Sequence, residues 1–384
     1  MHPIWTFIRH KLIALTIALS KVLFFITGDK RPKFLFSAVV KPKKINTGVK
    51  IVEKRTDSVT LAKFNADGTE DESGFKIITA TDLHLGAPGA DKNNRSLQEL
   101  VRHIEEERPD LVIFTGDVVL SDCQQIDAVQ LSQLMEKTGV YWAYVFGNHE
   151  AREEKEYFKY LLYKGLMYCP HCLNLFGDPS LFGYGNFAIH IKNGRNALLK
   201  SLFLFDSGRD IQDKNRKKYN IADDIQGYDF LKEEQINWYL NEITRVKKLY
   251  GDTKTMCYMH IPVPEYKVVF DGDEKTGFTF AGKCRLLYGT QFESVGCSGY
   301  NSGFFTKAKK EGSLQALFAG HDHINDFCAE YEGVYLVYTQ CTGYNTYSMM
   351  DKKGWDEKDC HFGVTLTTLN KDGSILIEQR KNAR

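Results

Sequence analysis

Asp110-Leu111-Val112-Ile113-Phe114-Thr115-Gly116-Asp117 is a short apolar run that stops on a glycine and a carboxylate. A run of this length, rich in β-branched and aromatic residues and closed by a turn signal, reads as a buried strand over 110–115. Similar runs lie on either side. Residues 75–80 end at Thr81-Asp82-Leu83-His84, and residues 140–146 end at Gly147-Asn148-His149-Glu150. Between these runs, residues 95–107 and 126–137 have helical periodicity, and a third helix is expected over 151–164. Strand and helix alternating at this spacing predict a parallel sheet covered on both faces. Ligand sites in such sheets gather at the carboxyl ends of the strands. All three polar stretches fall there.

The second half is less regular. Residues 202–205 read as a strand before Asp206-Ser207-Gly208, and residues 255–260 as a strand ending on His260. Residues 313–319 lead into Gly320-His321-Asp322-His323. Residues 232–250 form a long amphipathic helix with Ile236, Leu240, Ile243 and Val246 on one face. The glycine-rich stretch 270–300 reads as a long excursion. Residues 334–339, 363–369 and 374–378 are expected to close as an antiparallel second sheet. Residues 49–64 supply one or two strands before an exposed turn at 65–74.

Composition narrows the class. With 384 residues and 43% hydrophobic content, the chain can bury a sizeable core, which excludes wholesale disorder. Lysine plus arginine balances aspartate plus glutamate, 50 against 49. No global field therefore attracts nucleic acid or an anionic membrane. The basic runs at 41–44 and 214–218 read as solvated faces or loops. Nine scattered cysteines, an odd number, do not make a disulfide scaffold. Cys169-Pro170-His171-Cys172 has redox-motif spacing without a thioredoxin-like context, and reads as a loop pair, free or locally bridged.

The start of the chain is different in character. Residues 12–26 are apolar except for Thr16, Ser20 and Lys21, and Arg9-His10-Lys11 precedes them. Lys21 interrupts the run and no clean cleavage site follows, against a signal peptide. The run is short for a spanning helix. A narrow polar stripe on a broad apolar helix over 4–27 suits a helix lying in a membrane interface or docked on the domain. Residues 28–48 follow as a basic linker. The simplest organisation is this leader over 1–48 and one catalytic domain over 49–384. Membrane association is the expected localisation, with secretion as the alternative.

The five polar stretches are suited to one chemistry. A pair of hard divalent ions needs oxygen and imidazole donors converging from several strand ends. Asp117 lies between the other ligand stretches along the chain and has two oxygens with which to bridge. Gly116 lets backbone approach closely beside it. Asp82 and His84 chelate one ion while Leu83 points into the core, and His321 and His323 share that spacing. Any one piece is commonplace, since a buried histidine such as His260 is usually a satisfied core residue. Their order and shared strand-end placement carry the reading.

Taken together, Asp82-x-His84, Gly116-Asp117, Gly147-Asn148-His149-Glu150, His260 and Gly320-His321-Asp322-His323 resemble the signature of the calcineurin-like metallophosphoesterases. The resemblance spans roughly residues 75–350. It extends to Phe205-Asp206-Ser207-Gly208, the stretch from His260 to Tyr266, the stretch from Asn301 to Phe305, and the stretch from His321 to Phe327. These are similar to the purple-acid-phosphatase-like branch, which includes a yeast cell-cycle phosphatase and plant members labelled "probable inactive". The resemblance implies a four-layer α/β/β/α sandwich of two mixed sheets flanked by helices. It implies one metal held by Asp82, His84, Asp117 and His323, and another by Asp117, Asn148, His260 and His321. His149 would protonate the leaving oxygen or stabilise the transition state, and Glu150 would orient His149. The purple enzymes place a tyrosine three residues after the Gly-Asp aspartate, where this chain has Leu120. No charge-transfer colour is expected, and the pair would be manganese, iron or zinc.

The function expected from these readings is hydrolysis of phosphomonoesters by a metal-bridging hydroxide, on a phosphorylated small molecule or a phosphoprotein. The alternatives are a phosphodiesterase or nuclease on the same metals, or a non-catalytic metal-binding membrane scaffold. The balanced charge speaks against nucleic acid as a partner. The excursion at 270–300 and the aromatic stretch from Gly343 to Tyr347 are expected to border the pocket.

Overall fold

The computed structural model describes residues 40–383 apart from 72, 87–89, 122–123, 151–155, 194–196, 352–354 and 357–359. The helix expected over 4–27 and the start of the one expected over 151–164 lie outside the described residues. Among those described, no helix is long and apolar enough to cross a membrane.

The alternation read from residues 75–164 forms as expected. Strands β1 (Val49–Lys54) and β2 (Ser58–Lys63) come first, followed by β3 (Phe75–Ala80), β4 (Leu111–Thr115) and β5 (Tyr141–Val145). β3, β4 and β5 pair in parallel, with Ile77 beside Leu111 and Leu111 beside Tyr141. Helices α1 (Ala90–Glu107), α2 (Gln124–Thr138) and α3 (Glu156–Leu166) intervene or follow. Alternation along each strand sorts side chains to two faces. Ile78, Val112, Phe114, Trp142 and Tyr144 pack among the residues of α1 and α2, whereas Ile77, Leu111, Ile113, Ala143 and Val145 face a second sheet.

That second sheet contains β6 (Phe187–Asn193), β7 (Ala197–Leu204), β8 (Thr255–Tyr258), β11 (Arg285–Tyr288), β12 (Leu314–Ala319), β13 (Cys328–Tyr331) and β14 (Val334–Tyr338). Its order is β1-β2-β6-β7-β8-β12-β14-β13-β11. Leu202, Leu204, Met256, Tyr258, Ala316 and Phe318 point inward to the first sheet. Phe203, Cys257, Leu317 and Ala319 point outward, onto the long helix Glu233–Tyr250 and the short helix Phe304–Glu311. Ile236, Ile243 and Val246 of the long helix are buried and Leu240 partly so, as its periodicity predicts. The result is a four-layer α/β/β/α sandwich.

One expectation is overturned. Residues 334–338, 363–369 and 375–381 do not form a separate antiparallel sheet. β14 runs parallel to β12 in the larger sheet. β15 (Gly363–Leu369) pairs antiparallel with β3, and β16 (Ile375–Lys381) lies outside it, giving the order β16-β15-β3-β4-β5. The reason lies in β15, where Val364 and Leu366 are buried on the helix side and Leu369 between the sheets. A strand buried on both faces takes an interior position and leaves the edge to β16. The excursion at 270–300 contains a small hairpin, β9 (Phe270–Asp273) with β10 (Gly277–Phe280), before β11 closes the edge of the larger sheet.

The end of the basic linker packs on the domain. Val40 and Ile45 are buried among the residues of α1 and α2, and the Ile45 N–H donates to the Thr138 carbonyl at 2.7 Å. The basic run at 214–218 lies on a short helix whose lysines are exposed, as expected of a solvated face.

Candidate metal centre

The candidate ligands leave strand ends of both sheets. Asp82 and His84 follow β3, Asp117 follows β4 and Asn148 follows β5, while His260 follows β8 and His321 and His323 follow β12. They converge in two buried groups: Asp82, His84 and His323, and Asp117, His260 and His321, with the ligand atoms of each group within 4.8 Å of one another. Asp117 Oδ2 stands between the groups, 3.7 Å from His84 Nε2 and 3.3 Å from His260 Nε2. Asn148 Oδ1 joins the second group at 2.9 Å from His260 Nε2.

Tight backbone turns make this convergence possible. Asp82, His84, Asp117 and His321 all have positive φ, between 46° and 81°. Non-glycine residues rarely adopt this left-handed region, and strain of about 1–3 kcal/mol each persists only where surrounding structure fixes it. Gly116 is also left-handed, and a Cβ there would meet His260 Nδ1 at 2.6 Å and the Gly147 nitrogen at 2.7 Å. Any larger residue would force the β4 and β8 ends apart.

The hydrogen bonds fix which atoms face inward. His260 Nδ1 lies 2.8 Å from the Thr115 carbonyl, and His323 Nδ1 lies 3.0 Å from the Tyr347 carbonyl. Each carbonyl accepts a proton from Nδ1 and leaves a lone pair on Nε2, the usual arrangement of a ligating histidine. Acceptors then face one another. His84 Nε2 is 3.1 Å from His323 Nε2, and His321 Nδ1 is 3.2 Å from His260 Nε2. Asp82 Oδ2 receives the Thr81 hydroxyl at 2.8 Å and the His321 N–H at 3.0 Å, while buried Oδ1 receives no hydrogen bond from the described residues. Lone pairs packed at such distances need positive charge among them, so the residues present fit a pair of cations.

The electrostatics agree. Burial by itself would raise the carboxyls of Asp82 and Asp117, yet both are held well below the usual range, Asp82 by His323 and His84 and Asp117 by His260. Burial opposes charge on His260, but Asp117 and then Asp82 raise it to about 10. Burial and the charge of His260 drive His321 down to about 3. The two carboxylates therefore draw positive charge into a buried cluster of nitrogen lone pairs.

His149 and Glu150 take different places. The His149 ring is partly exposed, with Nε2 3.7 Å from Asp117 Oδ2 and its centroid 5.2 Å from that of His84. Its N–H donates to Asp117 Oδ1 at 2.8 Å, and its carbonyl accepts from Gln124 Nε2 at 2.7 Å. Glu150, expected to orient that ring, instead accepts from five other donors. They are the N–H groups of Gly147, Asp117, Val118 and Val119 and the Tyr144 hydroxyl, at 2.6 to 3.2 Å. It anchors the loops that present Asp117 and Asn148. Backbone donors leave no mark in a sequence, which is why this role was not legible there.

Asp322, between two candidate ligands, accepts from the Gly296 N–H and the Tyr338 hydroxyl and is pushed by burial to about 7. The expected borders of the site divide. Tyr344 is buried against Phe362, with Arg95 over its ring, whereas Tyr347 is 42% exposed and lies flat on His323. A cleft of about 930 Å³ runs from Gly147 and Glu150 past Lys159, Tyr160, Phe182 and Arg209. Of the excursion, Glu293 touches the site, accepting from Tyr347. Cys169 and Cys172 are free thiols; burial pushes Cys169 up to about 12 and Cys172 well above its usual range. Neither is a reactive thiolate.

Residues 75–325 match the sequence model of the calcineurin-like phosphoesterases. The chain belongs to this family. It is accordingly a metallophosphoesterase, a hydrolase of phosphoric esters. Among curated relatives, "Probable inactive purple acid phosphatase 14" of Arabidopsis thaliana is 30% identical over 76% of this chain and 74% of its own length. "Phosphatase DCR2" of Saccharomyces cerevisiae is 30% identical over 67% of this chain, which spans 45% of that protein. Among solved structures, a dimetal phosphatase from Danio rerio aligns over 81% of this chain and 98% of its own, with a TM-score of 0.51 and 12% identity, a likeness of fold.

Proposed function

We propose that this metallophosphoesterase is a two-metal phosphomonoesterase. One ion would be held by Asp82, His84, Asp117 and His323, the other by Asp117, Asn148, His260 and His321. The mixed carboxylate, amide and imidazole set suits manganese, iron or zinc. The observation that carries the reading is six ligand residues from two sheets converging on the central carboxylate of Asp117, beside a partly exposed imidazole. When bound, two such cations would polarise phosphoryl oxygens and lower the pKa of a water, making hydroxide available near neutral pH.

The chain's own residues do the rest. The backbone of His149 is pinned by its N–H to Asp117 and by its carbonyl to Gln124, and its partly exposed ring lies 3.7 Å from Asp117 Oδ2, beside the candidate ligands. Protonating that oxygen is the role proposed for it. The neighbouring cleft has room for the organic part of a phosphorylated small molecule or a phosphoprotein segment. No nucleic acid partner is proposed, given the balanced charge. A membrane-surface contact through residues 4–27 is proposed on the amphipathic pattern of that stretch.

A phosphodiesterase would use the same metals, and a metal-binding scaffold is the remaining alternative; the complete donor set, His149 included, favours catalysis over the scaffold. The test is metal content of chelator-free protein, with monoester and diester assays on the same sample. About two ions per chain with monoester turnover supports the proposal. Diester turnover alone replaces it with the diesterase. No bound metal, and no activity after adding manganese or zinc, leaves the scaffold.

A further inference from the structure

One loop grips both sides of the position formed by Asp82, His84 and His323. On one side, Asn345 Nδ2 donates to the carbonyl of Leu83, between the two ligands of the β3 end, at 3.0 Å. The Thr342 N–H donates to the Thr81 carbonyl at 2.9 Å. On the other side, the Tyr347 ring stacks on His323 with centroids 4.2 Å apart and planes at 4°. The Tyr347 carbonyl faces His323 Nδ1 at 3.0 Å, and the Thr346 hydroxyl lies 3.1 Å from the same nitrogen. Tyr347 Oη also accepts the His323 N–H at 3.3 Å and donates to Glu293 Oε1 at 3.1 Å, which in turn accepts the Ile324 N–H at 3.0 Å.

Two features single this loop out. Thr346 has a φ of 59°, a conformation that is an outlier for a β-branched residue and persists only when its surroundings enforce it. In addition, His84 Nδ1 is buried and has no hydrogen-bond partner among the described residues. A ligating histidine ordinarily takes its orientation from a partner on its second nitrogen, and removing such support costs about 10–100-fold in metal affinity. At this position the orienting contacts come instead from the 342–347 loop.

We infer that Tyr347 and Asn345 are positioning residues for the metal held by Asp82, His84 and His323, and that they set its affinity separately from that of the Asp117, Asn148, His260 and His321 position. The inference rests on the two-metal reading. Tyr347 does not itself bind metal; it fixes the plane and tautomer of His323. Its exposure makes substitution compatible with folding.

The test is a cobalt(II) titration of metal-stripped full-length protein, followed by visible absorption and by competition with a chromophoric chelator. Wild type is expected to fill in two steps. Tyr347→Ala should weaken one step by about 10–100-fold and leave the other unchanged. Tyr347→Phe, which keeps the stacked ring and loses only the hydroxyl, should stay close to wild type; the main-chain carbonyl is common to every variant. Tyr347→Leu keeps apolar bulk and serves if the alanine variant does not fold; the same split is expected. Two unchanged steps in both variants, or equal weakening of both steps, would overturn the inference. Wild-type protein that binds no cobalt, zinc or manganese would overturn the two-metal reading itself.

Discussion

Replacing Glu150 by glutamine separates two accounts of this residue. In the structure, Oε1 accepts from Val118, Val119 and Tyr144, and Oε2 from Gly147 and Asp117. A glutamine keeps one acceptor for three donors and turns an NH₂ group toward the other two, both buried N–H groups. Hydrogen bonds to a charged acceptor contribute about 1.5–3 kcal/mol each, so two losses come to roughly 3–6 kcal/mol. Part is returned, because burial followed by the nearby Asp117 charge raises the Glu150 carboxyl and makes its ionised form costly. A net destabilisation of about 3 kcal/mol is expected, which in a domain of this size lowers Tm by about 3–6 °C. The loops carrying Asp117 and Asn148 lose their anchor, so metal content should fall alongside stability. Calorimetry and metal analysis on the same preparation test this. If Glu150→Gln keeps wild-type Tm and metal content but loses turnover, Glu150 acts on His149 directly and the anchoring argument is wrong.

Further outcomes follow from the same geometry. His149→Ala should retain both metals while turnover on a poor leaving group falls by about 10²–10⁴, and full activity would remove His149 from the chemistry. Asp117→Asn should depress metal content and turnover together, because this carboxylate lies between both ligand groups; metal analysis and a monoesterase assay check it. Chelation should lower Tm: a ligand at 100 times its Kd contributes about 2.7 kcal/mol of stability, and the shift should reverse on adding metal. Glu242 gives a pH prediction far from the metals. Burial opposes its ionisation, but Arg245 and His190 hold its carboxyl at about 2 against 4.5. A depressed carboxyl contributes stability above its unfolded pKa and loses it as pH falls through the folded value. About 2 kcal/mol, after allowing for solvent screening, should therefore disappear between pH 4.5 and 2, and Glu242→Gln should flatten that part of an acid-unfolding profile.

The parts of this protein that were legible in its sequence are local. Residues 110–117 announce a strand and its ligand because apolar residues, a glycine and an aspartate are contiguous there. The same holds at His260 and at Gly320 to His323. What was not legible depends on partners distant in the chain. Leu366 pairs with Ile78 and Phe318 with Val337, and nothing in the alternation of either strand says which sheet it joins. β6 and the full extent of β7 do not show in the sequence for a related reason, since their pairing with β2 and β8 supplies the context that the residues alone lack. The sequence places Glu150 in the site as the partner of the His149 side chain, whereas four of its five donors are backbone N–H groups and the fifth is the Tyr144 hydroxyl. The sequence marks Tyr344 and Tyr347 alike as border residues, and only the fold shows that Tyr347 stacks on His323 while Tyr344 is buried.

The origin of the ligands in two different sheets has a consequence for how the molecule comes apart. Asp82, His84, Asp117 and Asn148 belong to the smaller sheet, and His260, His321 and His323 to the larger. Each proposed ion would therefore tie one sheet to the other at the carboxyl-terminal rim, as a disulfide ties two segments of chain. Between the layers the sheets adhere mainly through packed apolar side chains, a contact that is strong but not directional. Removing the ions should loosen this rim first: amide hydrogen exchange at the ends of β3, β4, β8 and β12 should accelerate while β15 and β16 keep their protection. The ions would be structural joints of the sandwich as well as its reagents.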